Sequence, residues 1–203
     1  TCTAIVTVVD TLAPQILTQD STIYLDGNGQ VSITPQDIDA GSTDNCGIVS
    51  STIDITSFDC SNIGENTVTL TLTDASGNIA TATATITVVD ATAPTAVCQN
   101  ITIALDASGN ASITPQDIDA GSFDNCDASQ IAISQTNFDC STIGENQVVF
   151  TITDPSGLSA SCEATVTVVN NNVPVAACQD ITVQLDSSGN ATISAADLDG
   201  GST

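Results

Sequence analysis

The chain repeats itself over residues 11–90 and 91–170, in a register of 80 residues without insertion or deletion. The segment SITPQDIDAGSTDNC, which starts at Ser32, returns as SITPQDIDAGSFDNC at Ser112, and FDCSNIGEN returns as FDCSTIGEN. Repeats of fixed length are typical of modular arrays, in which each copy is one folding unit. The repeat therefore predicts a succession of small modules and argues against a single catalytic body.

The same register predicts the boundaries of the modules. Residues 1–10 match residues 81–90, so we expect them to form the last strand of a preceding repeat. The predicted division is 1–10, a tail strand; 11–90, repeat 1; 91–170, repeat 2; and 171–203, the N-terminal part of repeat 3. We therefore expect the chain to be part of a longer array. A module of this size is large enough for one β-sandwich core, particularly with disulfide support.

Apolar and polar residues alternate along most of each repeat. In the segment TVTLTLT, the residues Val68, Leu70 and Leu72 face one way and the threonines face the other. Such alternation predicts half-buried antiparallel strands. Turn-forming segments rich in Asp, Asn, Ser and Gly separate the strands. We predict tandem immunoglobulin-like β-sandwiches with six or seven strands each, and a single helical turn in ITPQDI.

The junctions between repeats are short. Each has the form VVDxxAP or VVNNNVP and ends in a proline, namely Pro14, Pro94 and Pro174. Because proline restricts the backbone and no Gly/Ser linker is present, we expect the modules to form an extended rod.

The composition excludes most catalytic chemistry. The chain has 24 acidic residues and no Lys, Arg or His, so it has no base for a catalytic triad and no cation for a phosphate site. Paired carboxylates can hydrolyse glycosides, but one Tyr, four Phe and no Trp leave few aromatic platforms for sugars. Glu65 and Glu145, which recur in IGEN, are interpreted as turn residues before a strand. We predict that the chain is not an enzyme.

The uniform negative charge also restricts the partners. Nucleic acids and anionic membranes require a basic surface, so we expect neither nucleic acid binding nor direct membrane insertion. No apolar run reaches the length of about 18 residues that a membrane span requires. Since 41% of the residues are hydrophobic, the chain has enough apolar surface to fold.

The eight cysteines indicate disulfides and an oxidising, extracellular location. Cys46 and Cys60 recur as Cys126 and Cys140, which predicts the local bridges Cys46–Cys60 and Cys126–Cys140. Each would close a loop of about 15 residues, worth roughly 3 kcal/mol. The alternatives are buried free thiols in a cytosolic protein and a zinc site. Zinc is disfavoured because the chain has no CxxC pair and no His.

A second kind of bridge is predicted from a difference between the repeats. Cys98 and Cys162 occur together in repeat 2, and both are absent from repeat 1, where Thr18 and Ala82 take their places. This joint change predicts a Cys98–Cys162 bridge between the first and last strands of repeat 2. By the same register, we expect Cys2 and Cys178 to pair with cysteines outside residues 1–203.

An acidic loop, DIDAGSTDN and its copy, places several oxygen ligands within nine residues. Hard cations such as Ca²⁺ prefer six to eight oxygen ligands, although the spacing is not that of an EF-hand. The topology of a sandwich would further gather Asp119, Asp124 and Asp154 towards Asp90 at the junction. The candidate ligands are Asp37, Asp39, Asp44, Asp90, Asp117, Asp119, Asp124 and Asp154. The alternative is that these residues cap turns and face water.

Short motifs suggest glycosylation. Asn100, Asn110 and Asn190 lie in N-x-S/T sequons, and Thr11 and Ser21 lie in short D-T/S-x patterns. Such patterns also arise by chance in a chain rich in Ser and Thr.

The residues also resemble a known family. The stretch NTVTLTLTDASGNIATATATITVV is similar to the end of a hyalin (HYR) repeat. The DNC, FDC and VVDxxAP motifs resemble arrays in giant surface proteins of Bacteroidota, with the SprB-type gliding-motility adhesins as the nearest suggestion. The resemblance implies an extracellular adhesive or stalk array. The patterns at Thr11 and Ser21 also resemble O-glycosylation sites of Bacteroidota.

These observations lead to one main hypothesis and two alternatives. The main one is a non-catalytic extracellular stalk or filament whose partners are neighbouring repeats, surface polysaccharide or laterally associated copies. The first alternative is an array of Ca²⁺-dependent carbohydrate-binding modules. The remote alternative is ice binding by the threonine ladders, which the twist of such sheets disfavours.

Overall fold

The computed structural model describes residues 2–127 and 130–202, and these residues form an all-β protein with two β-sandwich-like domains. Repeat 1 contains six strands: β1 (Ser21–Tyr24), β2 (Gln30–Ser32), β3 (Ile48–Ile53), β4 (Ser57–Asp59), β5 (Gly64–Asp74) and β6 (Ile79–Val89). Repeat 2 contains their equivalents: β7 (Ile101–Ala104), β8 (Asn110–Ser112), β9 (Gln130–Ile133), β10 (Asn137–Asp139), β11 (Gly144–Thr153) and β12 (Ser159–Val169).

The helical segments are short. The predicted turn in ITPQDI is a 3₁₀ helix in repeat 1 and an α-helix, α1, in repeat 2, and a second α-helix, α2, lies beyond β12. Their bounds are Pro35–Asp37, Pro115–Ile118 and Ala195–Leu198. Two further 3₁₀ helices span Cys60–Asn62 and Cys140–Thr142. No helix in the described part of the chain is long and apolar enough to cross a membrane.

Each repeat has a four-stranded sheet and a two-stranded sheet. In repeat 1 the larger sheet has the order β1-β6-β5-β3, in which β1 runs parallel to β6 and the other pairs are antiparallel. The smaller sheet pairs β2 with β4. Repeat 2 reproduces both sheets, as β7-β12-β11-β9 and β8-β10.

The core lies between the two sheets of each repeat. Val68, Leu70 and Leu72 on β5 are fully buried, as the alternation predicts, and they belong to one apolar cluster with Phe58 of β4. Their equivalents on β11 are Val148, Phe150 and Ile152, which pack in the second cluster. Ile38 and Ile118, from the helical turns, complete the two cores.

The expectation for the IGEN glutamates was wrong. Glu65 and Glu145 lie within β5 and β11, where they pair with Thr87 and Thr167, and not in turns. The strands begin one residue earlier, at Gly64 and Gly144, where φ angles of 109° and 111° suit only glycine.

The structure joins Cys98 to Cys162, the pair that the difference between the repeats predicts. Cys98 precedes β7 and Cys162 lies on β12, so the bridge connects the segment before the first strand of repeat 2 to its last strand.

The predicted bridges Cys46–Cys60 and Cys126–Cys140 are not formed, and the structure instead joins Cys60 to Cys126, across two repeats. The physical reason is the strand between each predicted pair. β3 has six residues and extends about 20 Å, whereas a disulfide requires Cα atoms within about 7 Å. Cys46 and Cys140 therefore remain as exposed free thiols, as do Cys2 and Cys178 within residues 1–203.

Candidate metal centre at the joints between repeats

Three aspartates from different parts of the chain meet where repeat 1 joins repeat 2. Asp90 directly follows β6, Asp124 lies in the loop before β9, and Asp154 directly follows β11. One oxygen from each carboxylate lies within 4.8 Å of the other two. One ligand candidate thus comes from the end of repeat 1 and two come from repeat 2, so the cluster spans the joint.

Each carboxylate of this cluster uses one oxygen locally. Asp90 Oδ1 accepts from the Thr92 backbone N–H at 3.0 Å. Asp124 Oδ2 accepts from the backbone N–H two residues later at 2.9 Å, and Asp154 Oδ1 accepts from the Leu158 N–H at 2.8 Å. These bonds are turn bonds, and they fix the direction of each side chain.

The other oxygens of the cluster are buried and have no hydrogen-bond partner among residues 2–127 and 130–202. They are Asp90 Oδ2, Asp124 Oδ1 and Asp154 Oδ2. Asp90 is 4% exposed and Asp154 is 3% exposed. An isolated carboxylate in such surroundings is costly unless a cation compensates it, and the chain has no Lys, Arg or His. Any cation that compensates these carboxylates would therefore have to come from outside the chain.

Asn125 links the cluster to repeat 1 and adds a further oxygen. Its Nδ2 donates to Asp90 Oδ1 at 3.2 Å and to the Asp26 carbonyl at 3.1 Å. Its own Oδ1 is buried and has no hydrogen-bond partner among the residues that the structure describes. The joint thus presents three free carboxylate oxygens, which suit a hard cation, and an unpartnered amide oxygen on the adjacent Asn125.

A disulfide lies beside the cluster. Cys126 follows Asn125 and is bonded to Cys60 of repeat 1. Gly29 makes room for this contact, since a Cβ there would lie 2.5 Å from both the Asn125 carbonyl oxygen and Cys60 Sγ. The Asp-Asn-Cys segment therefore supplies a ligand candidate, a hydrogen bond and a covalent bond at one joint.

An equivalent cluster lies 80 residues earlier. It consists of Asp10, Asp44 and Asp74, of which Asp74 is 1% exposed. Asp10 Oδ2 and Asp44 Oδ1 have no hydrogen-bond partner in the described part of the chain, whereas Asp74 Oδ2 accepts from Asn78 Nδ2 at 2.7 Å. This first cluster thus has fewer free oxygens than the second.

The free thiol of Cys46 lies beside the first cluster. Its pKa is raised above the ordinary value by hydrogen bonding to Asp10, by partial desolvation and by the negative charges of Asp10, Asp44 and Asp74. The first joint thus has the same acidic surroundings as the second but no disulfide.

The structure brings together three of the four aspartates that the topology predicts, namely Asp90, Asp124 and Asp154, but not Asp119. Asp119 and Asp39 cap turns instead: Asp39 Oδ1 accepts from Ser42 N–H at 2.9 Å and from Ser42 Oγ at 2.6 Å. The pKa of each carboxyl is lowered, chiefly by the hydrogen bond from the side chain of Ser42 or Ser122.

Asp37 and Asp117 are also caps. Asp37 Oδ2 accepts from the N–H of Thr34 at 2.6 Å and from its hydroxyl at 2.8 Å, and Asp117 does the same with Thr114. The backbone hydrogen bond from the threonine is the main cause that lowers the pKa of either carboxyl. Asp10 and Asp74 were missed by the sequence reasoning, although the register relates them directly to Asp90 and Asp154.

The glycosylation candidates are mostly on the surface. Ser21 is half-buried, and the exposed ones are Thr11, Asn100, Asn110 and Asn190. Asn100 is also engaged in the fold, because its Oδ1 accepts from the Thr165 N–H at 2.7 Å.

The structure defines a class of protein, tandem β-sandwich-like domains with clusters of carboxylates where the repeats meet. No family model matches the chain, and no curated protein matches it. The resemblance to hyalin repeats and to gliding-motility adhesins therefore has no support from these comparisons.

Solved structures of tandem extracellular domains are similar at a low level. Protocadherin gamma B7 extracellular cadherin domains 1–4 match with 14% identity and a TM-score of 0.36, over 85% of this chain and 55% of that one. Human mucin-like protocadherin EC1–2 matches with 12% identity and a TM-score of 0.38, over 76% of this chain and 98% of that one. This chain thus spans about half the length of the first, and TM-scores this low carry no argument about function.

Proposed function

We propose that the chain is part of a non-catalytic extracellular stalk or filament, in which Ca²⁺ binds at the joints and stiffens the array of modules. The observation that carries the proposal is the group of buried, unpartnered carboxylate oxygens of Asp90, Asp124 and Asp154. They lie in a chain that has no cationic side chain.

Calcium fits these ligands better than other common metals. Carboxylate and amide oxygens suit hard cations, and Ca²⁺ accepts irregular geometry and completes its shell with backbone carbonyls and water. Zinc prefers Cys and His, and in this chain His is absent and the nearest cysteine, Cys126, is bonded to Cys60. Mg²⁺ requires a stricter octahedron and retains more of its own water.

A cation at this place would join three segments of two modules. Asp90 ends the last strand of repeat 1, while Asp124 and Asp154 belong to two loops of repeat 2. Neutralising their charges would remove the mutual repulsion that otherwise favours separation of these segments. The joint would then resist bending, so a series of joints would keep the array extended.

The location and the partners follow from the same properties. Disulfides such as Cys60–Cys126 and Cys98–Cys162 persist in oxidising compartments, which supports an extracellular location. The resemblance to Bacteroidota surface arrays suggests attachment or gliding on a bacterial cell surface. Neighbouring repeats are the primary partners, and lateral association or contact with surface polysaccharide would provide adhesion.

Calorimetry with and without Ca²⁺ tests the proposal. We expect heat of binding on titration of the chelator-treated protein and a melting temperature that is several degrees higher in Ca²⁺. At a ligand concentration about 100 times Kd the stabilisation is about 2.7 kcal/mol, and about 2–4 °C per kcal/mol is typical for a chain of this size. Equal melting temperatures in Ca²⁺ and in chelator would contradict the proposal.

The variant Asp154→Asn tests the site itself. It removes one buried carboxylate from the second cluster, so we expect it to lose one bound Ca²⁺. The matched control is Asp180→Asn, which changes the net charge equally at an exposed position outside both clusters. A glycan array in Ca²⁺ separates the stalk from the carbohydrate-binding alternative, since specific glycan binding would favour the latter.

A further inference from the structure

The surface by which repeat 1 contacts repeat 2 has an equivalent at the C-terminal end of repeat 2. At the joint between the two repeats, the Asn125 side chain donates to the Asp26 carbonyl, and Cys126 is bonded to Cys60. The Asn125 carbonyl oxygen lies 3.4 Å from Cys60 Sγ and packs over Gly29. An Asp-Asn-Cys loop thus lies on a receiving surface made by the turn at Gly29, Cys60 and the junction.

In repeat 2 the equivalents of that receiving surface line an open cavity of about 350 Å³. They include Gly109, Cys140, Asn170 and Asn172, which lie 80 residues after Gly29, Cys60, Asp90 and Thr92. The residues that hold a loop at the first place therefore surround a cavity at the second.

The local geometry of the two places agrees in detail. Cys140 Sγ lies 3.8 Å from the Gly109 carbonyl oxygen, and Cys60 Sγ lies 3.7 Å from that of Gly29. Gly109 has a positive φ of 76°, and a Cβ there would lie 2.9 Å from Cys140 Sγ. Cys140 differs from Cys60 in being an exposed free thiol.

We propose that this cavity binds the Asp-Asn-Cys loop of a further repeat of the same chain, whose cysteine forms a disulfide with Cys140. The occupied joint is the direct argument, because it shows what the same receiving residues hold. Asn170 replaces Asp90 here, so the carboxylates of such a joint fall from three to two and the disulfide contributes relatively more.

A loop from a second copy fits this place less well. The exposed Asp-Asn-Cys loop at Cys46 is preceded by residues 2–10, which align with residues 82–90 of β6 and its end. In repeat 2 the equivalent place is already occupied by β12. If the Cys46 loop of a second molecule docked in the cavity, residues 2–10 of that molecule would overlap with β12 and would have to move away. A following repeat of the same chain has no such overlap, because β12 itself precedes it.

The covalent step joins two thiols. Each sulfur loses a proton, and the two electrons pass to an oxidant of the small-molecule disulfide class, which is reduced to two thiols. The inference rests on the proposed array but not on Ca²⁺.

The test extends the full chain. A second copy of residues 124–170, in which the copy of Cys140 is changed to Ser so that its peptide is distinct, is fused after Thr203, which aligns with Phe123 and keeps the register. The extended and the original proteins are oxidised with glutathione disulfide in chelator, alkylated and mapped by mass spectrometry without reduction. We expect Cys140 to lose its alkylation only in the extended protein and to appear linked to the added Asp-Asn-Cys peptide. Alkylation of Cys140 in both proteins, or linkage of Cys140 between molecules, would overturn the inference.

A pair of glycine variants distinguishes docking from general misfolding. In the extended protein, Gly109→Ala places a methyl group where the loop docks, so we expect Cys140 to remain alkylated. Gly189→Ala is the control, since it has a similar φ of 80° in the equivalent turn and the extended protein has no further Asp-Asn-Cys loop that would dock on that turn. Linkage that persists in Gly109→Ala would also overturn the inference. A Ca²⁺ titration of the same samples reports separately on the metal, so either proposal can fail alone.

Discussion

At the scale of single residues, the aspartates of this chain have two different roles. Asp37, Asp39 and their copies satisfy backbone N–H and hydroxyl groups in turns. Asp90, Asp124 and Asp154 use one oxygen in the same manner, the other is buried without a partner in the described structure, and the three carboxylates lie together. Sequence spacing does not separate these roles, because both kinds of aspartate lie in similar loops.

The capping aspartates predict a loss of stability in acid. The pKa of Asp119 is lowered, first by the Ser122 side chain, so its unfolded-state pKa of about 3.9 exceeds its folded-state pKa. Its contribution is therefore present above about pH 3.9 and is lost as the pH falls through the lower folded-state value. We expect the melting temperature in chelator to fall between pH 5 and pH 2, and to fall less in Asp119→Asn. A parallel decline in both proteins would contradict this role.

At the scale of elements, the strands were the most predictable part of the chain. Alternation of Thr with Val and Leu identified β5 and its buried face, since a strand with one dry face requires a period of two. The bridges Cys46–Cys60 and Cys126–Cys140 were wrong because loop length does not show that a strand carries the chain to the other end of the module. The clustering of the aspartates was predicted in part, through the topology that places Asp154 near Asp90.

The core of β11 predicts a large effect of truncation. Phe150 is fully buried between the sheets, so we expect Phe150→Ala to lower the free energy of unfolding by about 3–5 kcal/mol. The neighbouring Val149 is 37% exposed, so Val149→Ala should change the free energy of unfolding by only about 0.5 kcal/mol. Urea unfolding of the two variants measures the difference, and similar midpoints would contradict the assigned faces.

At the scale of the whole molecule, the disulfide and the acidic cluster at the joint should support each other. The Cys60–Cys126 bond keeps the loop of Asp124 against repeat 1 and so lowers the cost of ordering the ligands. We expect the Cys60→Ser/Cys126→Ser variant to bind Ca²⁺ more weakly at the second cluster.

Cys98→Ser/Cys162→Ser is the control for this prediction. That bridge lies within repeat 2, so its loss should lower thermal stability while the Ca²⁺ affinity changes little. Calorimetric titration measures both variants, and an equal loss of affinity would indicate a general effect of removing any disulfide.

The bond between Cys60 and Cys126 also determines how far the molecule can be drawn out by its ends. Its two cysteines are 66 residues apart. A force applied to the two ends is therefore transmitted through the disulfide, and the segment between the cysteines bears no load. That segment includes β5, β6, the junction and β7, and it would otherwise add roughly 220 Å of contour length at about 3.4 Å per residue. A stalk with this arrangement would lengthen by small increments under force. Single-molecule stretching should show the additional contour length of about 220 Å only after the disulfide is reduced.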